Sequence, residues 1–102
     1  MIKVTITYHG DIIKSIEIKG HAGSGPKGHD LVCAAVSAII TGGANALPNK
    51  NNYMVKLESG YAVIDNNNLD EDGNNVLKTV WVQLKTVEES YSQFLRIEEK
   101  EL

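Results

Sequence analysis

Two side chains in this sequence have the types and spacing for nucleophilic chemistry. His21 stands at the head of a glycine-rich stretch, GHAGSGPKGHD at residues 20 to 30, and Cys33, the single cysteine, follows its end. Asp30 is a good helix N-cap, which makes Cys33 the third helical residue, inside the first turn. The unpaired N–H groups and the positive end of the helix dipole favour a thiolate there, and the same N–H groups can hold the oxyanion of a tetrahedral intermediate. Covalent catalysis also needs a base within about 2.6 to 3.2 Å of the thiol. His21 meets that need if the end of a strand and the start of a helix face each other across the loop.

Each of these residues also has a plainer reading. Cys33 can be a small buried residue in a small-residue helix. His29, one residue before the cap, is the rival base or a solvated loop residue, and His9 reads as an exposed strand histidine. His21, His29 and Cys33 together would be imidazole and thiolate donors for zinc, but the chain has no CxxC or HxxxH pair to support a site split across a loop. GSGPKG lacks the GxxxxGK[ST] order of a phosphate loop. Asp30 can cap the helix, orient a histidine, or both. Ser37 and Thr41 follow Cys33 at successive i+4 positions, where they line a cleft or bond back to helix carbonyls.

The elements that must position these groups are legible from periodicity. Residues 2 to 9 alternate apolar and polar, Gly10-Asp11 supplies a turn, and residues 12 to 19 resume the alternation after an interruption at Lys14, which predicts a hairpin. A helix follows from about 31 to 41, with 47 as its outer limit, since Gly42-Gly43 either ends it or sits within it. A second hairpin is expected at 53 to 58 and 61 to 65 around Ser59-Gly60, then an acidic, Asn-rich loop. Val76, Leu77, Val80, Trp81, Leu84, Val87, Tyr91, Phe94 and Leu95 then fall on one helical face over about five turns. The order β-β-α-β-β-α gives an α+β fold, a mainly antiparallel sheet with two long helices laid against it. The first helix is apolar almost all round and needs cover beyond one sheet face, which a homodimer would supply.

At 102 residues the chain is one domain, residues 1 to 102, large enough for a single core. A net charge of −3, from 10 Lys and Arg against 13 Asp and Glu, argues against direct nucleic-acid binding through phosphate neutralisation. No run approaches the roughly 18 apolar residues of a membrane span, and MIKVTITYHG lacks a signal-peptide core, so no membrane partner and a cytoplasmic location are expected. A lone cysteine leaves no internal disulfide and no resolving thiol for a redox sensor.

The segments GHA at 20 to 22 and GHDLVCAAVSAI at 28 to 39, joined by a glycine-rich loop with eleven residues between His21 and Cys33, resemble the ribosomal-processing cysteine protease family, Prp or YsxB-like. The order of elements and the length agree as well. The resemblance implies a Cys-His dyad at Cys33 and His21, with Asp30 and Ser37 in supporting positions, no cofactor, no metal, and a homodimer. It implies an endopeptidase that removes the N-terminal extension of the large-subunit ribosomal protein numbered twenty-seven, cutting after aromatic residues. An apolar cleft beside the dyad is then expected; Ala34, Ala35 and Ala38 are compatible with its lining but read better as close packing of the helix, and the loop carrying Gly23, Gly25 and Gly28 would close over the peptide. The alternative of another class is a non-catalytic ribosome-assembly module that binds a basic ribosomal protein through Asp65, Asp70, Glu71 and Asp72.

Overall fold

Strands β1 (Ile2–His9) and β2 (Ile12–Lys19) pair antiparallel as the first hairpin. Lys3 faces Lys19 and Ile6 faces Ile16, but Thr7 faces Ser15 while Tyr8 faces Ile13, which leaves Lys14 as the extra residue of a β-bulge. The bulge explains why Lys14 breaks the alternation. It resets the phase of β2 so that Ile13 and Ile16, three apart, both turn into the core with no exposed surface. We describe residues 1–26 and 28–102 from a computed structural model; Lys27, in the loop expected to cover the site, lies outside the described residues.

Helix α1 (Leu31–Ala46) runs through Gly42 and Gly43 to the outer of the two expected limits. Glycine at 43 is a packing requirement, because a methyl group there would lie 2.3 Å from Val80 Cγ2 on the second helix. That close approach lets the two helices share one layer. The second hairpin forms as expected, β3 (Tyr53–Glu58) with β4 (Tyr61–Asn66). The loop after it is tied by Asn66, fully buried, whose amide exchanges two hydrogen bonds with the Asp70 backbone at 2.8 and 3.0 Å.

Helix α2 (Asn74–Ser90) buries Leu77, Val80 and Leu84 but ends before Tyr91, Phe94 and Leu95, the last residues of the expected helical face. The Phe94 and Leu95 amides both donate to the Tyr91 carbonyl in a turn, and a fifth strand, β5 (Leu95–Glu101), follows and pairs parallel with β1. The order is therefore β-β-α-β-β-α-β. The sheet runs β3-β4-β2-β1-β5, and only the β1–β5 pair is parallel, so the α+β class and the mainly antiparallel sheet hold.

For the site, the decisive neighbours are β2 and β4. Lys19 pairs with Tyr61, and the Gly20 amide donates to the Gly60 carbonyl at 2.9 Å. The β3–β4 turn is thereby fixed beside the point where the chain leaves β2 for His21.

Candidate active site

His21 leaves the end of β2 and Cys33 enters at the start of α1, and the two line a common cavity of about 180 Å³ with Gly20, Ser37, Ser59 and Gly60. A second hollow of about 480 Å³ meets the same pair from the loop side and is lined by Gly23, Gly25, Gly28 and Asp30. The two side chains thus stand where two depressions join. His21 is exposed and Cys33 is half-buried. The Ala22 N–H donates to Cys33 Sγ at 3.3 Å, so the backbone next to His21 already reaches the sulfur. Among the described residues no hydrogen bond links the His21 ring to Cys33. The direct His21–Cys33 hydrogen bond expected from sequence is therefore absent here, although both side chains line the same two hollows.

Asp30 caps α1, its Oδ1 accepting from the Cys33 N–H at 3.0 Å. The same carboxylate accepts from Ser24, Oγ to Oδ1 at 2.5 Å and N–H to Oδ2 at 2.9 Å, and it has no histidine partner among the described residues. The Ser24 hydroxyl first, then the Cys33 amide, hold this carboxyl well below the usual carboxylate range. Its two expected roles resolve into a cap and a clasp on the glycine-rich loop. One of the first-turn amides expected to receive an oxyanion is thereby engaged, since the Cys33 N–H already has an acceptor.

Asp30→Asn keeps a capping side chain but loses the charge that serves both donors. We expect a lower melting temperature and faster proteolytic nicking between residues 23 and 28. Because folding depresses the Asp30 pKa, the wild-type advantage is complete above the unfolded carboxylate value of about 3.9 and is lost as pH falls through the lower folded value. Melting curves of both proteins between pH 7 and pH 2 check this; a gap that closes already near pH 5 would contradict it.

Ser37 lines the cavity with Val36 and Ile40, whereas Ala34 and Ala38 are exposed on other flanks of α1 and Ala38 faces a groove toward α2. The cavity wall on α1 is thus Val36, Ser37 and Ile40 rather than the alanines. His29 and His9 are exposed and line neither hollow. Among the described residues no three His, Cys, Asp or Glu side chains stand together as a metal site would need, and His29 lies away from the hollows that His21 and Cys33 share. The acidic residues of the assembly-module reading are largely spoken for: Asp65 pairs with Lys14, and Asp70 accepts from Asn49, Asn52 and Tyr53. The residues missed from sequence are Ser59, Gly60 and Tyr61. Their only sequence signal was a turn dipeptide some forty positions from His21.

The family model for cysteine protease Prp matches residues 1–96 of this chain. The ribosomal processing cysteine protease Prp of Staphylococcus aureus (strain Mu50) is 32% identical over 108 residues, covering 98% of this chain and 100% of its own. Its namesake from Mycoplasma pneumoniae is 35% identical over 104 residues, covering 98% and 96%. Among solved structures, the S. aureus protease with a covalently linked product peptide superposes with a TM-score of 0.87 at 30% identity, covering 98% of this chain and 100% of that one. The S. aureus protease with a substrate peptide gives 0.81 at 29% identity over the same shares.

Proposed function

The chain belongs to the Prp family of cysteine proteases, and we propose that it cleaves with Cys33 as nucleophile and His21 as general base. The observation that carries this reading is the meeting of the two side chains at the junction of two hollows, with the Ala22 amide already on the sulfur. His21 takes the thiol proton, the sulfur attacks the scissile carbonyl, and His21 returns the proton to the departing amine. Water then releases the acyl group. With the Cys33 amide held by Asp30, the donor assigned to the oxyanion is the Ala22 N–H, which stands against the sulfur. The hollows on the two sides of Cys33 suit the residues on the two sides of the cut.

The proposed substrate is the large-subunit ribosomal protein numbered twenty-seven, carrying an N-terminal extension that ends in aromatic residues. The names of the relatives, ribosomal processing proteases, support this class of substrate, and so does the apolar wall of Val36 and Ile40. An acidic protein of net charge −3 also accommodates a basic partner. The reading includes a homodimer, because Leu31 is 76% exposed and the flank of α1 with Ala34 and Ala38 lacks cover. A cytoplasmic site of action follows from the substrate; no helix among the described residues is long and apolar enough to cross a membrane.

The test is intact mass spectrometry of that ribosomal protein after incubation with the wild-type enzyme. Loss of an N-terminal peptide ending in aromatic residues is expected. An unchanged mass at stoichiometric enzyme would remove this substrate.

A further inference from the structure

An exposed general base has to be held in place, and the usual means is a carboxylate hydrogen-bonded to its second nitrogen. His21 has none among the described residues: Asp30 is occupied by Ser24 and Cys33, and Glu58, which lines the same cavity, makes no hydrogen bond to the ring. Its ring lies instead against the β3–β4 turn. A methyl group built on Gly60 would fall 2.8 Å from His21 Nε2 and 3.3 Å from Cε1. The first separation is closer than real Cβ atoms adopt, so a side chain at 60 pushes the imidazole off this position, a shift that the end of an exposed, flexible side chain makes at little cost to the fold. The same residue accepts the Gly20 amide through its carbonyl, which locks the turn to the backbone leading into His21.

We propose that Gly60 is the positioning residue for the catalytic imidazole. Its bare α-carbon is a seat that leaves the space the ring occupies and limits the ring on that side, in place of a third acid. The proposal rests on the reading of His21 as the base. Positive φ alone does not account for glycine at 60: Gly10, in the turn of the other hairpin, has φ 61° against 76° at Gly60, but a methyl group at Gly10 would meet nothing within 4 Å. Alanine at either position strains a hairpin turn, and only at 60 does it also strike His21.

The pair Gly10→Ala and Gly60→Ala therefore separates seat from strain. kcat and KM are measured on a synthetic peptide spanning the cut in the ribosomal substrate, well below both melting temperatures and per folded molecule. We expect Gly10→Ala to keep the wild-type kcat, and Gly60→Ala to lose roughly 30- to 100-fold in kcat with KM changed by less than about 2-fold, the scale of a base misplaced by about an ångström. Added to His21→Ala, Gly60→Ala should lower the residual rate no further than Gly10→Ala does. Equal kcat in Gly10→Ala and Gly60→Ala, with His21→Ala inactive, overturns the seat and leaves the base intact; wild-type turnover in His21→Ala overturns the base itself. Should Gly60→Ala fail to fold, the wild-type protein decides by NMR. A nuclear Overhauser contact between the Gly60 α-protons and the His21 ring protons supports the seat, and its absence overturns it.

Discussion

Replacing Cys33 by Ala is expected to lower peptide cleavage by roughly 10⁴-fold or more, the scale seen when a covalent nucleophile is removed and only substrate binding and oxyanion contacts remain. The fold should survive, because Cys33 is half-buried and α1 keeps its Asp30 cap and its buried face of Val32, Val36 and Ile40. Cys33→Ala also removes the acceptor of the Ala22 amide, so a loss of activity could be laid to a shifted loop rather than to a missing nucleophile. Cys33→Ser answers that objection. Its oxygen can still accept from Ala22, yet a neutral hydroxyl beside an imidazole without a third acid attacks far more slowly than a thiolate. Both variants should therefore be inactive, with circular dichroism and melting temperature close to wild type. Turnover within about tenfold of wild type in Cys33→Ser, with no activity in Cys33→Ala, would assign the position to loop architecture instead.

The meeting of His21 and Cys33 was legible from sequence because everything that brings them together is local. One strand end, one glycine-rich loop and one capped helix start, all between residues 19 and 33, bring His21 and Cys33 to the same place whatever the remainder of the sheet does. What escaped depends on pairings that periodicity does not encode. Ser59, Gly60 and Tyr61 reach the cavity of His21 only because β4 lies next to β2, and a hairpin pattern states that two strands pair without stating which earlier strand receives them. The oxyanion assignment is narrowed for a different reason. The Asp30 side chain that defines the start of α1 is the group that consumes the Cys33 N–H, so the feature used to locate an oxyanion site also fills it. Lys14 shows the reverse case, a break in alternation that reads as noise in the sequence and is a bulge in the sheet.

Strand β5 was hidden by a coincidence of periods. Tyr91, Phe94 and Leu95 continue the i, i+3, i+4 spacing of α2, while Leu95 and Ile97 also begin a period-two pattern. The two readings differ in energy, and a short substitution series separates them. Leu95 is 1% exposed and pairs with Ile2, whose amide donates to the Phe94 carbonyl at 2.8 Å, whereas Tyr91 is 45% exposed. Leu95→Ala should cost roughly 2 to 5 kcal/mol in urea unfolding, a large share of the roughly 5 to 15 kcal/mol typical of a domain. Tyr91→Ala, Arg96→Ala and Glu98→Ala should each stay within about 1 kcal/mol. The loss at Leu95 should also reach the site, because Ile2 lines the cavity that holds Cys33, and the Met1 carbonyl lies against Gly20, where a methyl group would fall 2.5 Å from it. Activity of Leu95→Ala should accordingly fade at lower urea than its global unfolding. Equal costs at Tyr91 and Leu95 would restore the continuous helix and detach the last strand from β1.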